Sequence, residues 1–377
     1  MSASGGGAMP FGRIVVGIDF SGASLAAARW VATQLAPRAE IVLVHVLPEP
    51  EAAPFVRPHL PPMLDVMSDV VPALYGGLRG VADLTGADRT RIDIYTGAPA
   101  DALALASAEY EADLVCLGRT RSRRGSARFG ATTAQRLLTR TRVPVLVVPA
   151  TRPAAPPRIL AALDGRPAGR AAAEMAWRLA GAGSGRVEAV HVLGPELRGF
   201  VRACGATARE GGCAARPHLA LERAEAARIR DEAHLFGLTA QWIARELEAI
   251  GAPGTRAAAH VRVGDPGQEI VAFARATGIG IIVIGRGEDG AIPTTAAGRV
   301  PVGSTARLVT WVAPAPVLVL SPASTTSDAD RSPRGATWRR QVAPARADRV
   351  AALGGADPHP PAAAAPRTAG RAGGHAA

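Results

Sequence analysis

The sequence predicts an α/β protein built from two tandem doubly wound parallel-sheet domains. Short apolar runs without polar alternation, typical of strands buried on both faces, alternate with segments of helical periodicity. The same order of segments occurs twice in the chain. The length of 377 residues also exceeds what one hydrophobic core usually supports, which favours two domains.

The first repeat begins with the β-branched strand 13–18, which is followed directly by Asp19. A helix over 21–36 and a second strand over 41–47 complete a right-handed parallel crossover. The proline-rich stretch 48–62 is predicted to be a loop. Further helices are predicted over 63–84, 99–110 and 131–141, and further strands over 91–95, 114–117 and 143–148.

The second repeat copies the first with offsets of 145 residues at the first strand, 146 at the second, 167 at the next two and 172 at the last. The residue pairs that set these offsets are Asp19 and Asp164, His45 and His191, Gly97 and Gly264, Gly118 and Gly285, and Pro144 and Pro316. The growing offset places extra residues within 194–217 and within a long helix predicted over 222–250.

These boundaries define five segments of the chain. A flexible N-terminus is expected over 1–12 and a linker over 150–157. We call 13–149 repeat one and 158–321 repeat two, and we expect each to be a domain. The Ala/Pro/Arg-rich tail 322–377 shows no periodicity, so it is predicted to be disordered.

Charge and cysteine content exclude several classes of function. The chain has no Lys, so all 43 basic residues are Arg, which indicates a compositional bias, and +4 of the net charge of +11 lies in the tail. No base-stacking aromatic pattern accompanies the Arg residues, so specific nucleic-acid binding is not expected. The three cysteines, Cys116, Cys204 and Cys213, have no CxxC spacing, which argues against a disulfide framework or a zinc site.

The chain carries no signal for membrane insertion or secretion. Residues 1–10 lack a basic segment followed by an apolar one, and no apolar run approaches the roughly 18–20 residues that span a bilayer. We therefore expect a cytoplasmic protein with no membrane partner.

A glycine and hydroxyl turn in each repeat is typical of phosphate binding. In repeat two, Gly285 ends the apolar run 281–284, and Gly303-Ser304 opens a helix. The corresponding residues of repeat one are Gly118, Ala131 and Thr132. Backbone N–H groups and the partial positive charge of a helix N-terminus attract phosphate at such turns. Each hydroxyl has a second interpretation, in which it only caps its helix.

The strand ends supply further candidate residues. Ligands of doubly wound sheets bind at the carboxyl ends of the strands. Asp19 and Asp164 lie at such ends, although Asp is also a favoured helix N-cap. His45 and His191 are interpreted as packed strand residues rather than as bases or ligands.

Together these residues resemble the universal stress protein family in its tandem, UspA-like form. The residues that carry the resemblance are Val-Gly-Ile-Asp-Phe-Ser at 16–21, Val-His-Val at 44–46 and 190–192, a Gly-x-Pro in each repeat, the glycine turns and the closing Pro-Val-Leu-Val strands. The resemblance covers 13–149 and 158–321 and implies a Rossmann-like fold of the adenine nucleotide alpha hydrolase type. It further implies that Asp19 and Asp164 contact adenosine and that the backbones of Val46 and Val192 pair with adenine.

ATP-binding members of that family carry G-x2-G-x9-G-[S/T], and both repeats depart from it. In repeat one, Arg121 stands at the second glycine, and Ala131-Thr132 replaces Gly-Ser. In repeat two, Glu288 stands at the second glycine, and Gly303 follows Gly285 by 18 residues instead of 13. The acidic side chains of Glu288 and Asp289 would repel phosphate unless Mg²⁺ intervenes.

Three functions remain open from the sequence. The first is a non-catalytic module of the stress response that binds adenine nucleotide, with ATP, and Mg²⁺ beside it, as the expected cofactor. The second is a nucleotide-free scaffold in which the last strands pair, either between the two repeats or in a homodimer. The third is an ATP-using enzyme, which would need a signature such as HxGH or SGGxDS. The sequence has no HxGH, and residues 21–24 match SGGxDS only in part. Slow ATP hydrolysis stays open.

Overall fold

The computed structural model describes most of both repeats. The described residues are 10–47, 71–85, 90–119, 132–150, 158–181, 185–196, 232–252, 254, 256–287 and 302–321. The predicted tail, nearly all of the linker, the loop 48–62 and most of the insertion in repeat two lie outside them.

The described residues of repeat one form five strands and four α-helices in alternation. They are β1 (Arg13–Gly17), α1 (Gly22–Trp30), β2 (Glu40–Leu47), α2 (Val71–Thr85), β3 (Thr90–Thr96), α3 (Pro99–Glu109), β4 (Leu114–Arg119), α4 (Thr133–Leu138) and β5 (Val145–Pro149). A π-helical turn, Val31–Leu35, continues α1. The helix predicted over 131–141 is thus shorter than expected, because Thr132 caps it and it ends after Leu138.

Repeat two follows the same order. Its elements are β6 (Arg158–Leu163), α5 (Pro167–Gly181), β7 (Arg186–Leu193), α6 (Glu232–Ala249), β8 (Ala257–Val263), α7 (Pro266–Thr277), β9 (Ile281–Gly285), α8 (Ser304–Val312) and β10 (Val317–Leu320). Paired left-handed glycines, Gly97 and Gly264, precede α3 and α7, as the repeat predicts.

The ten strands of the described segments form one continuous sheet in the order β3-β2-β1-β4-β5-β10-β9-β6-β7-β8. Neighbours within each repeat are parallel, and β5 pairs with β10 antiparallel. The predicted fold class, two doubly wound α/β units, is confirmed. The sequence left open whether the last strands pair between the two repeats or in a homodimer, and in this structure β5 pairs with β10.

The junction between the repeats pairs equivalent residues with each other. Leu318 lies opposite Leu146, and Val317 and Val319 lie opposite Val147 and Val145. At the offset of 172, Leu146 corresponds to Leu318, so a local twofold axis passes through this pair. Both strands are buried along their length, so their pairing covers two edges that would otherwise expose apolar side chains and unpaired backbone groups.

The helices cover the two faces of the sheet as two apolar layers. One layer contains α1, α2, α5 and α6, and it receives side chains such as Ile14 and Leu318. The other contains α3, α4, α7 and α8, and it receives the alternate side chains, such as Val15 and Val319. Alanine dominates the helix faces in both layers, which lets the helices approach the strands closely.

Candidate functional site

A cavity of about 760 Å³ opens at the carboxyl ends of β1, β2 and β4. This is the point where the strand order of repeat one reverses direction, because β2 and β4 lie on opposite sides of β1. Four of the residues that the sequence singled out line the cavity together: Asp19, Val46, Gly118 and Thr132. Arg121 and Ala131, the other two candidates of repeat one, lie outside the described residues.

The backbone of Val46 faces a gap in the sheet. The carbonyl oxygen of Val44 accepts a hydrogen bond from the Ile18 N–H at 2.8 Å, so the polar groups of Val44 point towards β1. Alternate residues of a strand direct their N–H and C=O groups to the same side, and β1 has already ended at Gly17 when β2 reaches Val46. The N–H and C=O of Val46 therefore point past the end of β1 into the cavity, where a planar polar ligand can pair with them.

Asp19 stabilises a tight turn at the rim of the cavity. Its Oδ1 accepts a hydrogen bond from the Ser21 N–H at 2.9 Å, and Phe20 between them adopts a left-handed φ of 59°. Partial burial opposes ionisation of Asp19, but hydrogen bonds from Ser21 and Ser24 outweigh it and lower its pKa. The N-cap of α1 is Ser21, so the interpretation of Asp19 as the helix cap is wrong.

Repeat two forms the same turn. The Oδ1 of Asp164 accepts from the Arg166 N–H at 3.0 Å, and Gly165 takes the left-handed conformation with φ of 77°. Asp164 is exposed at the end of β6, and Val192 is half-buried near the end of β7, as the repeat predicts.

The two strand histidines are held by the backbone. Nδ1 of His45 lies 2.7 Å from the carbonyl oxygen of Ile18, and Nδ1 of His191 lies 2.8 Å from that of Leu163. A carbonyl oxygen only accepts, so each Nδ1 carries the proton and donates it. Both histidines therefore tie the second strand of a repeat to the turn after the first strand.

The strand-end glycines are required for packing. A Cβ on Gly118 would lie 2.3 Å from the backbone carbon of Ala23 in α1, and a Cβ on Gly285 would lie 2.7 Å from the Cβ of Ala168 in α5. The sequence pointed to these glycines as phosphate-turn residues. Their closest neighbours are helix atoms, so close approach of helix to strand explains their presence without a ligand.

Thr132 acts as the N-cap of α4. Its Oγ1 accepts from the Gln135 N–H at 3.3 Å, and the Gln135 side-chain oxygen accepts from the Thr132 N–H at 3.3 Å. This reciprocal capping box satisfies the first turn of the helix. The capping interpretation of Thr132 is confirmed, while its hydroxyl hydrogen stays available to a ligand in the cavity.

Ser304 differs from Thr132 in its position on the helix. The N-cap of α8 is Gly303, which provides no side-chain cap, and Ser304 is the first helical residue. The interpretation of Ser304 as a helix cap is therefore wrong. The Gly303 N–H donates to the Arg286 carbonyl oxygen at 2.9 Å, which joins the end of β9 to the start of α8. The acidic residues Glu288 and Asp289 lie outside the described residues.

Repeat two completes one wall of the repeat-one cavity. Arg275, Thr310, Trp311 and Val312 line it from α7 and α8, and Trp311 is half exposed there. Arg119, at the end of β4, crosses the junction and donates to the carbonyl oxygens of Thr310, at 2.8 Å, and Ala313. Its guanidinium thereby caps the carboxyl end of α8. Sequence reasoning missed these contacts, because only the pairing of β5 with β10 brings the residues together.

Metal-ligating groups do not converge within the part of the chain that the structure describes. No group of three or more His, Cys, Asp or Glu side chains there is placed to hold a metal ion. Cys116 is a buried free thiol whose pKa burial raises, and Cys204 and Cys213 lie outside the described residues. Within the same described residues, every helix is too short or too polar to cross a bilayer.

Comparison with protein families identifies the class to which this fold and cavity belong. The model of the universal stress protein family matches twice, over residues 10–149 and 157–321. The chain therefore belongs to the universal stress protein family, in a form with two family domains in tandem. A search of curated proteins finds no match.

Solved structures of similar length share the fold. A universal stress protein from Archaeoglobus fulgidus DSM 4304 is 17% identical with a TM-score of 0.55, covering 82% of this chain and 98% of that one. A universal stress protein from Pseudomonas aeruginosa UCBPP-PA14 is 15% identical with a TM-score of 0.51, covering 83% and 94%. At these identities the likeness concerns the fold.

Proposed function

We propose that this chain is a stress-response module that binds an adenine nucleotide, ATP in particular, in the cavity of repeat one. The convergence of Asp19, the Val46 backbone and the capped turn at Thr132 on one cavity supports the proposal most strongly. These groups match the three parts of a nucleotide, which are a base edge, a ribose and a phosphate chain.

The cavity suits a ligand of this kind in size and in chemistry. Its volume of about 760 Å³ lies within the range of roughly 300–1,000 Å³ typical of small-molecule sites. Val46, Pro99 and Leu103 provide an apolar wall for a planar base. Asp19, with its lowered pKa, is a charged acceptor for ribose hydroxyls. Arg275 adds positive charge from repeat two, which favours phosphate.

We propose binding without turnover. The lowered pKa of Asp19 makes its carboxylate a weak general base. Nδ1 of His45 donates to the Ile18 carbonyl, which ties the ring to the turn after β1 and leaves only Nε2 as an acceptor.

A second, weaker nucleotide site in repeat two is part of the proposal. Asp164, Val192, Gly285, Gly303 and Ser304 occupy positions equivalent to those of the first site. We also propose that residues 13–149 and 158–321 act as the two domains. In that arrangement, the pairing of β5 with β10 takes the place of a homodimer contact.

One observation favours a different function, a nucleotide-free scaffold. The packing of Gly118 and Gly285 against helix backbones explains both glycines without any phosphate. In this alternative the repeats serve only to form the continuous ten-stranded sheet.

Two measurements distinguish the nucleotide-binding module from the scaffold: nucleotide that copurifies with the protein, and binding of added ATP. The full-length protein is purified, boiled, and its supernatant analysed by ion-pair chromatography, after which ATP with Mg²⁺ is titrated by calorimetry. Binding of about one ATP or more per chain supports the module. If boiling releases no nucleotide and titration with millimolar ATP gives no heat of binding, the result supports the nucleotide-free scaffold instead. ATP turnover that a Thr132→Ala/Ser304→Ala double variant abolishes would show that the module is catalytic.

A further inference from the structure

The cavity of repeat one extends beyond the strands of that repeat. Its lining begins at Val46 on β2 and reaches Thr310, Trp311 and Val312 at the end of α8. Because β5 and β10 are antiparallel, the end of α8, which leads into β10, lies at the carboxyl end of β5. From β2 to β10 the strand order gives four spacings of about 4.8 Å each, or roughly 19 Å. The lining therefore runs along the sheet edge from the proposed base position into repeat two.

Trp311 places an aromatic side chain at the far end of this lining. It is 50% exposed, which is unusual for so large an apolar side chain. The apolar layer receives Ala306, Val309 and Val312 from α8, which leaves Trp311 outside it. At the offset of 172 its equivalent on α4 is Thr139, so repeat one has no aromatic residue at this position. An indole that lines a cavity and is open to solvent can stack on a planar group of a ligand.

Two arginines make the same end of the cavity suitable for phosphate groups. The last carbonyl groups of a helix carry partial negative charge, which by itself would repel phosphate from the end of α8. Arg119 donates to the carbonyl oxygens of Thr310 and Ala313. Arg275 donates from Nη2 to the Val312 carbonyl oxygen at 3.5 Å. Both arginines line the cavity, and their two full charges exceed the roughly half charge of the helix end. A polyphosphate chain can therefore continue past the end of α8.

We propose that the cavity of repeat one binds a dinucleoside polyphosphate, with its second base stacked on Trp311. The inference rests on the nucleotide function proposed above, because the first adenosine occupies the Val46 backbone and the Asp19 carboxylate. The phosphate chain then lies beside Arg119 and Arg275, and the second base reaches the indole ring. ATP has a single base, so it uses the part of the cavity within repeat one and leaves the Trp311 subsite unfilled.

Two ligands with the same number of phosphates test the proposal in the full-length chain. Adenosine tetraphosphate carries one adenosine and diadenosine tetraphosphate carries one at each end, so their affinities differ by the contribution of the second adenosine. Each ligand is titrated with Mg²⁺ by calorimetry into the wild type, Trp311→Ala and Trp311→Phe. Leu105→Ala is the matched control, because Leu105 is 48% exposed on α3 and lies outside the described lining of the cavity.

We expect the wild type to bind diadenosine tetraphosphate at least ~5-fold more tightly than adenosine tetraphosphate, because a base gains affinity by stacking on an aromatic ring. Trp311→Ala should make the two affinities about equal, since it removes the ring. Trp311→Phe should keep part of the preference, and Leu105→Ala should keep all of it. Equal affinities in the wild type, or a preference that Trp311→Ala retains, overturns the proposal.

A titration with ATP separates this result from the outcome for the nucleotide-binding module. If ATP binds and the wild type shows no preference for the second adenosine, the module stands and only the Trp311 subsite is overturned. If neither ATP nor the two tetraphosphates bind, the module fails and the subsite fails with it. Asp19→Ala should weaken the binding of both ATP and diadenosine tetraphosphate. If it weakens only ATP, the dinucleotide binds elsewhere and the Trp311 subsite is overturned.

Discussion

Leu146 and Leu318 lie opposite each other where the antiparallel strands β5 and β10 join the two repeats, and each is the repeat equivalent of the other. Both side chains are 0% exposed and belong to the same apolar layer. The core of each repeat therefore continues into the other, and the repeats should unfold together.

This pairing predicts a coupling that a double-mutant cycle measures. Leu146→Ala and Leu318→Ala should each lower the free energy of unfolding by about 2–5 kcal/mol. Because the residues are neighbours, the double variant should depart from additivity by about 0.5–3 kcal/mol in urea unfolding. Leu43→Ala, at an equally buried position on β2, is the control and should add to Leu146→Ala. Additivity at the junction would show that the repeats are energetically independent.

Arg119 should stabilise the same junction through hydrogen bonds. Arg119→Met removes the donors to the carbonyl oxygens of Thr310 and Ala313, so it should lower the free energy of unfolding by about 2 kcal/mol. Arg286→Met, at the equivalent position of repeat two, should not, because the buried Arg286 guanidinium has no hydrogen-bond partner among the described residues. Thermal unfolding of the two variants side by side measures the contrast. Equal destabilisation would mean that both arginines serve the fold in the same way.

The packing of Gly118 against α1 makes this position intolerant of any side chain. A Cβ there would overlap the backbone of Ala23, so Gly118→Ala should cost about 3 kcal/mol or more in urea unfolding. Gly76→Ala is the matched control. Gly76 is exposed on helix α2, and no heavy atom lies within 4 Å of its added Cβ, so the change should stabilise by about 0.5–1 kcal/mol. A tolerated Gly118→Ala would leave phosphate approach as the reason for the glycine.

The carboxyl groups of Glu40 and Asp93 should make the free energy of unfolding change with pH in opposite directions. The hydrogen bond and charge of Arg13, together with Arg91, lower the pKa of Glu40. The stability that Glu40 contributes is therefore complete above the ordinary glutamate pKa and is lost as the pH falls below it. Burial raises the pKa of Asp93 despite a 2.9 Å hydrogen bond from Tyr110, so its contribution falls as the pH rises through the ordinary aspartate pKa.

Urea unfolding between pH 3 and 7 tests both signs against isosteric amides. The stability of wild type relative to Glu40→Gln should rise with pH, and its stability relative to Asp93→Asn should fall. If both stability differences changed with pH in the same direction, the opposite pKa shifts assigned to Glu40 and Asp93 would be contradicted.

The sequence predicted much of the fold because the apolar runs and their repeat correspond to strands of the structure. The apolar run before Asp19 predicted β1, and the repeat of that run before Asp164 predicted the second unit. The offset of 172 already made Leu146 and Leu318 equivalent residues of the two repeats. A pattern along the chain, however, does not specify which strand edges meet. The choice between pairing within the chain and pairing in a homodimer, which the sequence left open, therefore needed the three-dimensional arrangement.

The sequence predicted which residues lie at the carboxyl ends of the strands, but it did not predict what their side chains contact. The strand-end rule placed Asp19 and Val46 at one cavity. It did not show that Ser21 would cap α1, or that Gly118 would contact Ala23, because these depend on how closely a helix approaches a strand. Arg275 and Trp311 reach the wall of the cavity only because the two repeats join, so no motif within repeat one predicts their contribution.

Calorimetric titration of ATP with Mg²⁺ into Asp19→Ala and Asp164→Ala tests whether the cavity of repeat one holds the nucleotide. Both variants lose the same turn hydrogen bond, so they differ only in the repeat that they alter. We expect Asp19→Ala to weaken ATP binding at the tighter site at least ~10-fold, because a hydrogen bond to a charged group contributes ~1.5–3 kcal/mol. Asp164→Ala should leave the affinity of that site unchanged. ATP affinity that is unchanged in Asp19→Ala would contradict nucleotide binding in the cavity of repeat one.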